Sequence, residues 1–196
     1  MSEKVPSVVN DKGIFKPTSV KGGLQYAQVL IDSKAVPDRY NTKEEVFTAI
    51  QMAMELNLPP LTALRQIGNV KGTPSLFGDL PMAVVQRSGQ LEMLEEFLLD
   101  SDGNRICYEN KNLNNEPFGA VCRVKRKGVE GVCERYFSLD LKKKASISGF
   151  TWKTYPGIML KYRARSQALK DMFADCLNGI AIGEYNSPTV VPLSLC

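Results

Sequence analysis

Between Ile158 and Ile180 the apolar residues Leu160, Ala164, Ala168, Leu169, Met172, Phe173, Cys176, Leu177 and Ile180 recur at helical spacing, and Asn178-Gly179 supplies a stop. This is the most sharply patterned segment of the chain. Its apolar stripe is stable only if something covers it, so it constrains what the remaining residues must build. Lys161, Arg163, Arg165 and Lys170 project from the other sides of the same predicted helix.

The preceding segments read as short helices and strands. Residues 1–23, rich in Lys, Ser, Pro and Gly, are expected to form a flexible arm closed off by Lys21-Gly22-Gly23. A core domain is expected over 24–182, followed by a loose, Pro-punctuated tail over 183–196. Helices are predicted from Leu24 to Ser33, from Lys43 to Leu56 with Thr42 and Glu45 at capping-box spacing, and from Leu61 to Gln66. Lys71-Gly72 between two apolar runs predicts a hairpin, and Asp79 reads as the cap of a helix that ends at Arg87-Ser88-Gly89.

Strands are expected over Leu91–Leu99, around Ile106-Cys107-Tyr108, over Phe118–Lys125 and over Val132–Phe137. On the third of these, Ala120, Cys122 and Val124 face one way and Arg123, Lys125 and Lys127 the other, a one-sided basic strand suited to lining a phosphate groove. Ser138–Lys144 predicts a short capped helix ending in three lysines, and Ser146–Tyr155 an irregular aromatic stretch.

Composition narrows the chemistry. The 196 residues include no histidine, which excludes Ser-His-Asp and Cys-His catalysis and Cys/His zinc sites. Five cysteines without a Cys-x-x-Cys pair fit reduced thiols. Neither a Gly-x-x-x-x-Gly-Lys-Ser/Thr loop nor a Gly-x-Gly-x-x-Gly turn is present, so nothing points to a nucleotide cofactor. No apolar run reaches the length of a spanning helix and the N-terminus lacks a secretory pattern, so a cytoplasmic location is expected.

Charge is unevenly spread. Residues 1–98 carry 10 Lys and Arg against 11 Asp and Glu, whereas residues 99–196 carry 15 against 10. Within 121–170 there are 13 basic residues and only 3 acidic ones, a pattern whose usual partner is a polyanion. Aromatic residues interleave with the cations from Phe150 to Arg165. Lys and Arg neutralise phosphates while aromatic faces stack unpaired bases. Arg123, Lys125, Lys153, Lys161, Arg163 and Arg165 are therefore candidates to grip a nucleic-acid backbone, and Trp152, Tyr155 and Tyr162 to contact bases. Arg65, Lys71 and Arg87 form a second tier. The residues alone leave open whether Trp152 and Tyr155 are core anchors instead. Asp171 and Asp175, one helical turn apart, are the carboxylate pair best spaced for a metal, a spacing common on solvated helix faces, and Asp140-Leu141-Lys142 echoes the acidic-x-Lys half of a metal-dependent nuclease site, a common tripeptide.

The blocks Val46-Phe47-Thr48-Ala49-Ile50-Gln51-Met52-Ala53, Glu55-Leu56-Asn57-Leu58-Pro59, Ala63-Leu64, Gly78-Asp79 and Arg87-Ser88-Gly89 occur in an order that resembles the RecT-type single-strand annealing proteins of phages and prophages. Trp152, Tyr155-Pro156, Met159, Arg163-Ala164-Arg165, Ala168-Leu169, Asp171 and Phe173 extend the resemblance, which covers about residues 24–182. It implies an α+β fold in which a small twisted antiparallel sheet packs against helices, with a long C-terminal helix. It further implies an ATP-independent protein, without cofactor, that coats single-stranded DNA as a ring or filament of like subunits and pairs it with a complementary strand. A phage exonuclease or the host single-strand-binding protein are the further partners implied, although the short tail after Glu184 departs from a recruiting tail. A passive single-strand binder of a prophage, a metal-dependent nuclease and a surface for an acidic protein are the alternatives.

Overall fold

The computed structural model describes residues 7–9, 15–70, 72–106 and 117–183. They belong to an α+β protein with two compact units, residues 1–76 and 77–196, whose boundary falls inside the span 24–182. Among the described residues no helix is long and apolar enough to cross a membrane.

In the first unit, β1 (Ser7–Val9) and β2 (Phe15–Pro17) pair antiparallel, so part of the segment read as an arm is a hydrogen-bonded ribbon. α1 (Val20–Asp32) starts four residues before the expected position because the Ser19 hydroxyl caps it, accepting from the Gly22 amide at 3.1 Å. Gly22-Gly23 is thus helical rather than a linker. A Cβ on Gly23 would lie 2.3 Å from Cε2 of Phe47, so glycine there lets α1 approach α2 (Lys43–Glu55) closely.

α2 opens with the expected capping box: the Thr42 hydroxyl accepts from the Glu45 amide at 3.2 Å, and the Glu45 carboxylate accepts from the Thr42 amide at 3.4 Å. Its buried face is Val46, Ala49, Ile50 and Ala53. After Pro59-Pro60, the short α3 (Pro60–Leu64) leads into the expected hairpin of β3 (Ile67–Val70) and β4 (Thr73–Leu76), with Gly72 at φ +84° in its turn. Val70 and Thr73 close a two-residue turn and form a hydrogen-bonded pair, so by alternation Asn69 and Pro74 face each other without ladder bonds. Pro74 therefore costs the β3–β4 ladder no bond by lacking an N–H. The Ile67 carbonyl, directed away from β4, accepts instead from Arg39 Nη2 at 2.8 Å and from the Tyr40 hydroxyl.

The second unit begins with α4 (Leu80–Arg87), followed by an antiparallel sheet of β5 (Leu91–Leu99), β6 (Arg105–Ile106), β7 (Gly119–Arg126) and β8 (Cys133–Ser138) in the order β6-β5-β7-β8. The expected alternation on β7 holds, with Ala120, Cys122 and Val124 fully buried. α5 (Leu139–Lys144) is capped by Ser138, whose hydroxyl accepts from the Leu141 amide at 3.2 Å. The stretch expected to be irregular contains α6 (Phe150–Thr154), which buries Trp152. α7 (Pro156–Met172) starts on a proline, as suits a first helical turn, and lays Leu160, Ala164, Ala168 and Leu169 in the core.

α7 ends at Met172, not near Ile180 as the apolar stripe predicts. Arg126 Nη1 donates to the Met172 carbonyl at 3.2 Å and the same guanidinium makes two 2.6 Å bonds to Asp175. That arginine caps the helix and pins the following turn, while Phe173 and Leu177 continue to fill the core from non-helical backbone. The Arg126 guanidinium holds the Asp175 carboxyl down to about 2. A carboxyl lowered on folding adds stability above its unfolded value, about 3.9, and loses it as pH falls through the folded one. Asp175→Asn is therefore expected to lower the thermal midpoint relative to the parent at pH 6, with the difference shrinking between pH 4 and pH 2. A difference that is constant over that range would show that this pair does not contribute.

Candidate nucleic-acid interface

The sheet register decides the fate of the basic strand. On β7, Arg123 lies directly between Glu95 of β5 and Glu134 of β8. It bonds Glu95 at 3.3 Å through Nη1 and Glu134 through Nε. Lys125 Nζ reaches Glu92 at 2.5 Å. Arg105 joins Glu95 at 2.7 Å and lies 3.5 Å from the centre of the Phe97 ring, with Arg123 at 5.4 Å from the same centre. Hydrogen bonding by Arg105 holds the Glu95 carboxyl below its ordinary value. The outward row of β7 is thus a cross-strand charge ladder, in which Arg123 and Lys125 are paired with carboxylates of β5 and β8. Residues 92–95, supplied from thirty positions earlier, could not be paired with it by spacing alone.

Three further arginines tie α7 and its extension to the sheet and α4. Arg135 bonds Asp171 at 2.5 Å, Arg126 bonds Asp175, and Arg165 makes two 2.6 Å bonds to Glu96 and one of 2.6 Å to Asp79. The Arg165 and Glu96 side chains are only 14% and 11% exposed. Asp79 occupies the N-cap position of α4 but makes no capping bond, because its carboxylate serves Arg165. Asp171 and Asp175 each answer an arginine rather than one another, and Asp140 sits exposed in the first turn of α5. Among the described residues no three His, Cys, Asp or Glu side chains are grouped to hold a metal ion.

The aromatic-basic segment divides into core and surface. Trp152 is 3% exposed, its ring 6.2 Å from that of Phe137 and 5.4 Å from the Lys142 ammonium. It is a core anchor, which corrects its assignment as a base-stacking group. Arg163 lies half-buried with its guanidinium 5.5 Å from the Phe137 ring centre, and Arg165 belongs to the ion cluster, so neither projects freely from α7. Lys161 and Tyr162 are half-buried, the latter 5.2 Å from Arg165 and 3.5 Å from an Asp79 oxygen. Lys153 and Tyr155 are exposed. Arg87 is exposed in the last turn of α4, Arg65 is exposed after α3 in the other unit, and Lys71 lies outside the described residues.

Phe150, which opens the interleaved segment without being named a contact, and Ile158, which the sequence did not single out, are 76% and 49% exposed, and Tyr155 is 54% exposed. Thr151, Tyr155, Ile158, Tyr162 and Ser166 follow three- and four-residue steps, a second stripe distinct from the core one. With Met159 and Gly78 it lines a mostly apolar groove of about 110 Å³. An exposed aromatic wall of this kind can stack a flat ring.

The division between core and surface is testable. Trp152→Ala is expected to cost about 3–5 kcal/mol in denaturant unfolding, whereas Tyr155→Ala should stay within about 0.5 kcal/mol of the parent. Equal, small effects would place Trp152 at the surface.

Compared with models of protein families and with curated proteins, the chain matches none.

Proposed function

We propose that this protein binds single-stranded DNA and anneals complementary strands without ATP, as its resemblance to the RecT-type annealing proteins implies. The observation that carries the reading is the α6–α7 junction, where Phe150, Lys153, Tyr155 and Ile158 are all exposed within nine residues and Tyr155, Ile158 and Tyr162 line a groove. Stacking on aromatic faces is indifferent to base identity, and lysine contacts to phosphate are indifferent to sequence. A strand held in this way keeps its hydrogen-bonding edges available to a complement, which is what annealing requires. Lys153, Tyr155, Lys161 and Tyr162 are the contact residues in this reading, with Phe150 and Ile158 added. Arg123, Lys125, Arg165 and Trp152 form the scaffold that positions them. Self-association on DNA and recruitment of a nuclease or single-strand-binding partner belong to the same proposal.

The test uses two complementary fluorescent oligonucleotides mixed without ATP over a range of salt, with the Lys153→Ala, Tyr155→Ala double variant alongside the parent. Salt-sensitive acceleration of annealing by the parent is expected. Loss of one stacked base, roughly 1–3 kcal/mol, corresponds to a 5- to 150-fold weaker affinity in the double variant. Binding without acceleration would identify a passive binder, and unchanged affinity in the variant would remove the junction from the interface.

A further inference from the structure

The groove of about 110 Å³ that Tyr155 and Tyr162 line has a definite size and chemistry. Met159 and Ile182 are buried and form its floor, whereas Tyr155 and Ile158 are exposed and stand at its rim. Tyr162 is held in place by groups behind it. The Arg165 guanidinium lies over the Tyr162 ring, 5.2 Å from its centre, and the Tyr162 hydroxyl stands 3.5 Å from Oδ2 of Asp79. Glu96 grips Arg165 in turn through two 2.6 Å bonds, so this wall is fixed before any ligand arrives. Among the described residues that line the groove, none is charged.

Such a lining admits a neutral ring and rejects a phosphate, which would lose water there with no cation to replace it. Volume sets the size of the ring. A dry cavity of about 150 Å³ accommodates benzene, so an open groove of about 110 Å³ takes part of one six-membered ring and not the fused rings of a purine. Between the two pyrimidines of DNA the lining discriminates. Cytosine carries an exocyclic amino group, and burying its N–H groups against apolar side chains is costly. Thymine carries a methyl group at C5, which gains from contact with Ile158, Met159 and Ile182. A thymine that enters by its methyl edge keeps N3–H and O4 toward solvent, so its pairing edge stays open to a complementary strand. We propose that this groove holds one thymine of a single strand by its C5-methyl edge, adding one selective position to an otherwise sequence-indifferent grip. The inference rests on the nucleic-acid reading and names the base that the groove favours.

Fluorescence anisotropy of the full chain with labelled oligothymidylate and oligodeoxyuridylate of equal length tests it, because the two strands differ only in their C5-methyl groups. The parent is expected to bind the thymine strand about fourfold more tightly, the gain that one buried methyl group supplies. Ile158→Ala, at an exposed site, is expected to keep the parent circular dichroism, to bind both strands and to lose most of that preference. Equal affinity of the parent for the two strands, or a preference that Ile158→Ala leaves unchanged, would overturn the inference while the nucleic-acid reading stands. Failure of the parent to bind either strand would remove both.

Discussion

The packing of α7 across β7 positions the candidate residues on those two elements. It depends on small side chains on both partners: Ala120 and Cys122 on the strand, and Ala164 and Ala168 on the helix, all at full burial. Small residues let a helix settle close to a sheet, and the larger Leu160, Leu169 and Phe173 then close the space around them. Burial pushes the Cys122 thiol up to about 12, which leaves it a packing group without reactivity. With that face fixed, the opposite side of α7 is fixed as well, and Tyr155, Ile158 and Tyr162 line the groove as a consequence of what the core requires.

Electrostatics then selects which cations remain available. The basic excess of residues 121–170 is large in the linear sequence, yet residues 77–196 as a whole hold 16 Lys and Arg against 14 Asp and Glu. Folding brings Asp79, Glu92, Glu95 and Glu96 from outside that window onto Arg165, Lys125 and Arg123, and adds Asp171 and Asp175 to Arg135 and Arg126. Of these pairs only Arg165–Glu96 is largely buried, at 14% and 11% side-chain exposure, and a pair of that kind is costly to break from one side, which makes Arg165 structural. Among the described residues, Lys127, Lys143, Lys144, Lys153 and Lys161 make no ion pair, and Lys153 is exposed between Phe150 and Tyr155 in the sequence, both exposed as well.

Local signals were legible. The Thr42–Glu45 capping box, the Ser138 cap, the turn at Gly72 and the alternation along β7 are each decided within a few residues, and each appears as expected. What failed to show depended on partners remote in sequence. Asp79 reads as a helix cap until Arg165, 86 positions later, claims its carboxylate. The apolar stripe runs on to Ile180, but Arg126 closes α7 at Met172. Gly22-Gly23 reads as a linker because the ring of Phe47 that requires the missing Cβ lies on another helix. The site shows the same division: the sequence left open whether Trp152 and Tyr155 were core anchors, and the fold separates them, with Tyr155 at the surface and Trp152 packed near Phe137 in the core.

In the proposed reading the paired arginines of β7 are scaffold and Lys153 at the α6–α7 junction is a phosphate contact. The salt dependence of binding to a single-stranded oligonucleotide, followed by fluorescence anisotropy between about 50 and 200 mM salt, reads the number of phosphates neutralised through a slope of roughly 0.7 per contact. Lys153→Ala is expected to reduce that slope by about 0.7, and Arg123→Ala to leave it unchanged. A slope that falls with Arg123→Ala and not with Lys153→Ala would contradict the account and return the interface to the outer face of the sheet.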